Sequence, residues 1–336
     1  MVNKMFRTIN LVNYDSELER FSDKEDFIQF YSKYGIDGIE LQKVQELQEN
    51  YLHQDMIIGI HLPFFNTWVD FYKGDMDRIL KEYGTMGMVE QIYGGTDKSA
   101  LLKVYSKQLE FANRIGAKYV VFHICDVSLE EAFTGKFIHS DEEVIDVSCA
   151  LINELLDGKN YPFDFLMENL WWPGLNYRNP LMTKRLMDGV HYTKKGLMLD
   201  TGHLMNTNQE LKTSEEALQY IRAVVNGHNS LRGYIKGIHL HQSLSGESAK
   251  RIWNSKISLK QDYWERLNQV YEDIFQLDEH KPFVCEGMKE FIKEMNPQYI
   301  TYEFITRDRE EHEAYLKKIC AYNNRNTRAY GSFREV

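Results

Sequence analysis

Gly196-Leu-Met-Leu-Asp200-Thr-Gly-His203 is the stretch on which the reading of this chain turns. A short apolar run ends in a carboxylate, turns tightly and then delivers an imidazole. The carboxylate suits Mg²⁺, Mn²⁺ or Zn²⁺, and the imidazole favours the last two. Five other apolar runs stop in the same way. Met56-Ile-Ile-Gly-Ile leads to His61-Leu-Pro63, Tyr119-Val-Val-Phe to His123, and Phe163-Asp-Phe-Leu-Met to Glu168-Asn169. Tyr234-Ile-Lys-Gly-Ile leads to His239-Leu-His241, and Tyr299-Ile-Thr-Tyr to Glu303. One polar residue at a strand end is ordinary. Six ends carrying Glu, Asp or His imply strands whose C-terminal ends meet on one face, as in a closed parallel barrel.

The spacing supports that closure. Apolar runs at 6–12, 36–41, 56–61, 118–123, 163–168, 196–200, 234–240 and 299–304 read as eight strands. Between them, helical patterns cover 23–34, 98–115, 141–157, 178–190, 214–226 and 308–322. Ser22-Asp23 before Glu25-Asp26, and Ser140-Asp141 before Glu142-Glu143, are helix-opening signals. Alternating strands and helices mean βα units and a parallel sheet, so the expected fold is α/β, a (β/α)8 barrel in one domain over 1–336. The rival doubly wound sheet lacks its Gly-x-Gly-x-x-Gly, and neither a phosphate loop nor His-Glu-x-x-His is present. A barrel unit needs about 30 residues. The units from strand three to four and from strand seven to eight are roughly twice that, which predicts long insertions after strands 3 and 7. The first carries Trp68, Phe71, Tyr72, Tyr83 and Tyr93, the second Lys250, Arg251, Trp253 and Trp264. Both are expected over the active face, enclosing an aromatic-lined pocket.

Composition narrows the function. The 336 residues are 43% hydrophobic and 27% charged, as in soluble globular proteins. A net charge of −10 argues against a broad electrostatic grip on nucleic acid or an anionic membrane. Cys125, Cys149, Cys285 and Cys320 show no Cys-x-x-Cys pairing and read as reduced, which with no signal-peptide or membrane-span pattern predicts a cytoplasmic protein. Trp171-Trp172 follows directly on Glu168-Asn169 and reads either as a lid or as a platform for a flat substrate. These tryptophans and His241 are candidate substrate-binding groups. Basic residues are scarce beside the strand ends, Arg178, Lys250 and Arg251 being nearest, so an unphosphorylated small molecule is the expected partner. An oligomer stays open.

The ordered set Gly35-Ile-Asp-Gly-Ile-Glu40-Leu, His61-Leu-Pro63, His123, Glu168-Asn169, Asp200-Thr-Gly-His203, His239-Leu-His-Gln-Ser243 and Glu303 resembles the xylose isomerase-like TIM-barrel superfamily. That group includes sugar isomerases and epimerases and the type IV endonucleases of abasic-site repair. In the epimerase branch the resemblance implies one divalent ion on Glu168, Asp200, His239 and Glu303. Glu168 and Glu303 would also exchange protons with substrate, and His203 would bind it. In the endonuclease branch it implies three zinc ions, with His61, His123, Glu168, Asp200, His203, His239 and Glu303 matching ligands. An Asp-x-His pair of that branch, expected after strand seven, has no counterpart from Gln242 to Lys256, and His241 would substitute only in part.

Three functions follow. The first is an isomerase or epimerase of a sugar-like hydroxy-carbonyl compound, dependent on Mn²⁺ or Zn²⁺, with Glu168 and Glu303 as its acid and base. The second is a di-metal hydrolase of a phosphoester or amide, in which His61 and His123 hold a second ion. The third is a non-catalytic metal-binding relic.

Overall fold

The computed structural model describes residues 4–254 and 257–329. Its strands are β1 (Phe6–Val12), β2 (Gly38–Gln42), β3 (Ile57–His61), β4 (Tyr119–His123), β5 (Asp164–Glu168), β6 (Lys195–Asp200), β7 (Ile235–His239) and β8 (Tyr299–Tyr302). Each pairs in parallel with the next, and β1 pairs with β8, so the sheet closes into a (β/α)8 TIM barrel. Helices stand at the expected places: Lys24–Ser32, Lys98–Ile115, Asp141–Leu156, Pro180–Gly189, Ser214–Gly227 and Arg309–Ala329. The Asp23 side chain accepts from Asp26 N, and that of Ser140 from Glu143 N, which satisfies first-turn amides otherwise left without partners.

Between β3 and β4 three further helices, Trp68–Lys73, Met76–Tyr83 and Met86–Tyr93, precede Lys98–Ile115. Between β7 and β8 lie Gly246–Trp253, Tyr263–Leu277 and Met288–Met295. These two segments touch. The Tyr263 and Tyr83 rings are 5.2 Å apart, and Arg266 donates to the Glu82 carbonyl. Their aromatic residues mostly pack against each other, with Phe71 and Tyr93 stacked at 3.8 Å and Trp68 buried. The expected aromatic lining of a pocket is therefore largely a core under this segment, and Phe64 alone of its rings reaches the central cleft.

The main core lies between helices and barrel, while a smaller one fills the barrel interior around Tyr119, Val121, Leu166, Met198 and Tyr299. Above that plug the interior turns polar: Thr8, Glu40 and Thr301 are all buried. Gly59 makes this layer possible, because a Cβ there would lie 2.2 Å from Cζ of Tyr119. The Tyr119 hydroxyl meets the Thr8 and Thr301 hydroxyls at 3.1 Å each, so its oxygen is not stranded in the core. The four cysteines are free. Among the described residues no helix is long and apolar enough to cross a membrane.

Candidate metal centre

Strand register assembles the site. His123 pairs with Glu168 across β4 and β5, and Asp200 with His239 across β6 and β7. Asn169 ties the ends of β5 and β6, since its Oδ1 accepts from Asp200 N at 2.8 Å and its Nδ2 donates to Asp200 O at 3.0 Å. Asp200 caps the short helix Thr201–Met205, accepting from His203 N at 2.6 Å, so the tight turn read from the sequence is a capped helix start. The Thr201 hydroxyl donates to the carbonyls of His239 and His241, holding that turn against β7.

Among the described residues four candidate ligand groups result. His61, His123 and Glu168 form one; Glu168, Asp200, His239 and Glu303 form another; His203, His241, Asp278 and His280 form a third; Glu40, His61 and His239 form a fourth. Glu168 joins the first two. Its Oε2 lies 3.1 Å from Nε2 of both His61 and His123, and its Oε1 lies 3.0 Å from His239 Nδ1. Glu303 Oε2 is also 3.0 Å from His239 Nδ1. In the third group Asp278 Oδ2 lies 3.1 Å from His203 Nε2 and 2.7 Å from His280 Nε2.

These contacts fit divalent cations better than bare hydrogen bonds. Carbonyl oxygens only accept, so Nδ1 carries the proton in His61 (to Leu62 O, 2.9 Å), His203 (to Asn169 O, 2.9 Å) and His280 (to Glu303 O, 3.2 Å). In each neutral ring the Nε2 lone pair then faces a carboxylate oxygen, a repulsive arrangement. Either the rings are all imidazolium or a cation shares the lone pair and the carboxylate. An Nδ1–H anchored on a backbone carbonyl, with Nε2 aimed inward, is how histidine ligands are usually oriented. His239 is reversed: Nε2 meets Glu40 Oε2 at 3.0 Å, leaving Nδ1 inward.

Burial and neighbouring charge oppose each other throughout the cluster. Burial lowers the His239 pKa, but Glu40, Glu303 and Glu168 outweigh it and hold it well above the usual histidine value. Burial likewise lowers His280, and Asp278 overrides it to about 9. Burial raises Glu168, yet His239 and His123 hold it well below the normal carboxylate range. Burial also lowers both His61 and His123 and the two diverge: Glu168, Glu40 and Glu303 lift His61, whereas His123 remains lowered, with His61 and His203 opposing its charge. A set of buried imidazoles and carboxylates of this composition fits a divalent metal.

The structure brings together all the strand-end candidate ligands read from the sequence and corrects one reading. An Asp-x-His pair does follow β7. It is Asp278-Glu279-His280, displaced past Lys256 by the helices Gly246–Trp253 and Tyr263–Leu277. Glu40 supports His239, its Oε2 facing His239 Nε2. His241 is fully buried, its ring stacked 3.9 Å from that of His280 and its Nε2 2.8 Å from Asp200 Oδ2. Trp171 and Trp172 are buried too. Trp171 lies beside His203, with ring centroids 5.3 Å apart, and Trp172 beside Phe64. Neither indole lines the cleft above the ligands, a cavity of about 160 Å³ walled by Asn10, Gln42, His61, Phe64, His123 and Glu303 among others. Arg178, Lys250 and Arg251 do not line it either.

A family described as xylose isomerase-like TIM barrel matches residues 28–320, and the chain belongs to that family. Among solved structures it is similar to endonuclease IV from Thermus thermophilus, at 14% identity over 95% of this chain and 99% of that one, with a TM-score of 0.50. It is similar also to an L-ribulose 3-epimerase, at 11% identity over 100% of both chains, with a TM-score of 0.50. Such identities show the shared fold and leave the reaction to the site itself. No curated protein sequence matches the chain.

Proposed function

We propose that the chain is a multi-metal hydrolase of phosphoesters. One observation carries the reading: Asp278 Oδ2 lies between the Nε2 atoms of His203 and His280, at 3.1 and 2.7 Å. A single-ion proton-transfer enzyme needs Glu168, Asp200, His239 and Glu303, and gives His61, His123, Asp278 and His280 no task. In this reading His61, His123 and Glu168 hold one ion. Glu168, Asp200, His239 and Glu303 hold a second, and His203, Asp278 and His280 a third. Zn²⁺ suits the donors best, Mn²⁺ next. When bound, such ions neutralise charge on the attacking and leaving oxygens of a displacement.

The chain's own groups do the rest. The Leu62, Asn169 and Glu303 carbonyls fix three imidazoles. Glu303, the carboxylate most open to the cleft among the second group, is placed to accept a proton. His203 is then a ligand and not a substrate contact, and His241 props Asp200. The protein works as one domain over 1–336, and its four free cysteines support a cytoplasmic setting.

The isomerase reading, with Glu168 and Glu303 moving protons on a sugar-like substrate, keeps one observation in its favour: no Lys or Arg lines the small cleft. Zn²⁺- or Mn²⁺-supplemented protein, assayed on aryl phosphoesters and on ketose–aldose pairs, separates the two. Release of the aryl alcohol supports the hydrolase. Sugar interconversion without ester cleavage overturns it.

A further inference from the structure

We propose that Asn10 is a positioning residue of the metal centre: its amide grips the backbone of Phe304 and so aims the Glu303 carboxylate at the second ligand group and the Glu303 carbonyl at the third. The ions assigned to those groups rest on the reading above; the grip itself does not. Asparagine is disfavoured inside a strand, yet Asn10 stands within β1, in Phe6-Arg-Thr-Ile-Asn-Leu-Val12. Two residues beyond Thr8, it shares the inward face of that strand and lines the cleft. The β1–β8 ladder has its last pair at Ile9 and Tyr302. One step further on, the Asn10 side chain takes the ladder's place: Oδ1 accepts from Phe304 N at 2.9 Å and Nδ2 donates to Phe304 O at 3.1 Å. Glu303 lies between the ladder and this clamp, so its backbone is held on both sides.

Glu303 needs that hold more than the other carboxylates of its group. Glu168 Oε1 and Oε2 meet His239 and His61, and Asp200 accepts from His203 N and faces His241 Nε2. Glu303 Oε2 is buried and, among the described residues, has no hydrogen-bond partner, its 3.0 Å approach to His239 Nδ1 lacking hydrogen-bond geometry. The direction of that oxygen is therefore left to the backbone. The Glu303 carbonyl in turn accepts from His280 Nδ1 at 3.2 Å, so one residue serves two ligand groups. Asn169 makes the same kind of grip between β5 and β6, its amide spanning Asp200 N and O. A metal-ligand carboxylate steadied through the backbone by an asparagine of the adjoining strand thus occurs twice in this barrel. Groups that orient ligands in this way typically contribute about 10–100-fold to metal affinity.

The test measures Zn²⁺ affinity by chelator competition, and the rise in melting temperature that Zn²⁺ produces, in wild type, Asn10→Ala, Asn10→Leu and Asn13→Ala. Leucine fills about the same space as asparagine without its hydrogen bonds, so the clamp is removed with and without a cavity. Asn13 is the control. It clamps the loop after β2, with Oδ1 accepting from Val44 N at 2.8 Å and Nδ2 donating to Gln45 O at 3.0 Å, and it does not line the cleft. Both Asn10 variants should bind Zn²⁺ roughly tenfold more weakly, or worse, and gain correspondingly less melting temperature from it. Asn13→Ala should melt lower without metal and keep the wild-type affinity. Equal Zn²⁺ affinity in wild type and the Asn10 variants overturns the proposal, Asn10 then serving only the strand end. So does an affinity loss in Asn13→Ala as large as in the Asn10 variants, since loosening anywhere on this face would then suffice. Failure of both Asn10 variants to fold, with Asn13→Ala folded, overturns it too, the clamp then being part of the barrel's own stability. The number of ions in the wild type is read separately: a single Zn²⁺ whose affinity still falls in Asn10→Leu keeps the clamp and removes the three-ion reading.

Discussion

Asp278 Oδ2 lies 3.1 Å from Nε2 of His203, although 75 positions separate the two residues. The chain reaches this contact by a closed excursion. Gln242 and Lys281 pair back to back, with N–H to carbonyl distances of 2.7 and 3.1 Å, so the intervening helices leave and return at one point. Ser243 clamps the return: its hydroxyl donates to Asp278 Oδ1 at 3.2 Å and accepts from Glu279 N at 3.0 Å. Because the closure cost grows only slowly with loop length, such an excursion can be long without loosening its ends.

Metal content follows from that contact. Protein supplemented with Zn²⁺ and desalted should carry about three equivalents if each of the three groups assigned an ion holds one. Asp278→Asn/His280→Ala should lose about one equivalent while keeping the wild-type circular dichroism. Elemental analysis reads both. One equivalent in the wild type, unchanged in the variant, would return the centre to a single ion on Glu168, Asp200, His239 and Glu303.

Glu40 supplies a second expectation. Its Oε2 accepts from the Thr301 hydroxyl at 2.8 Å and faces His239 Nε2 at 3.0 Å, so the carboxylate fixes which nitrogen of His239 points inward. Glu40→Gln keeps the shape and removes the charge that makes Nδ1 a stronger donor. Loss of such a support typically weakens metal affinity by about 10–100-fold. Chelator competition on wild type and variant measures it, and equal affinities would mean that Glu40 serves only the barrel core.

Away from the centre, His139 predicts a pH effect. Nε2 is 3.1 Å from Asp70 Oδ1 and Nδ1 is 2.9 Å from Glu143 Oε2, so both nitrogens face carboxylates. Burial lowers this histidine, but Asp70 and Glu143 override it and raise it to about 9. A raised folded-state pKa gives stability that is complete below the unfolded value of about 6.5 and is lost as pH climbs through the folded one. The wild type should therefore exceed His139→Gln by about 1–3 kcal/mol near pH 6, with the gap closing towards pH 9. Urea midpoints at pH 6, 7.5 and 9 test this. Asp126, raised to about 7 mainly by burial, adds a loss of the same sign at lower pH. A gap that widens with pH would show that His139 is held neutral.

The barrel and its strand-end carboxylates and imidazoles are legible because each signal is local: an apolar run of strand length, then one polar residue. Asp278 and His280 escape that logic, since they follow a helix and not a strand. Their place depends on where a long excursion returns. Glu40 was visible as a residue and not as a partner, because its role depends on which nitrogen of His239 points down the barrel. The burial of Trp171 and Trp172 is non-local in the same way. Adjacent in sequence to Glu168, they are drawn into the wall where Leu175 N meets Ile124 O at 2.8 Å and Cys125 bridges Gly174. The close approach needs a glycine, since a Cβ at Gly174 would stand 2.2 Å from Ile124 O.

The last expectation concerns Gly202, inside the stretch that first betrayed the fold. It lies in the helix Thr201–Met205, where alanine would ordinarily be favoured over glycine by about 1 kcal/mol. Local propensity thus predicts that Gly202→Ala stabilises. Packing predicts the reverse. A Cβ at this position would lie 2.1 Å from Cε1 and 2.4 Å from Nδ1 of His241. That ring has nowhere to go: it stacks on His280 at 3.9 Å and meets Asp200 Oδ2 at 2.8 Å. Moving it disturbs Asp200 in one ligand group and His280 in another. Overpacking of this kind costs about 1–3 kcal/mol, which outweighs the propensity gain. Gly202→Ala should accordingly melt lower than wild type and bind less metal. Gly227→Ala, with nothing within 4 Å of its added Cβ, should be neutral or stabilising. Adding His241→Ala to Gly202→Ala should recover part of the lost melting temperature by vacating the space, without recovering metal. If Gly202→Ala alone is as stable and as metal-replete as wild type, the His241 ring is free to move and does not prop Asp200.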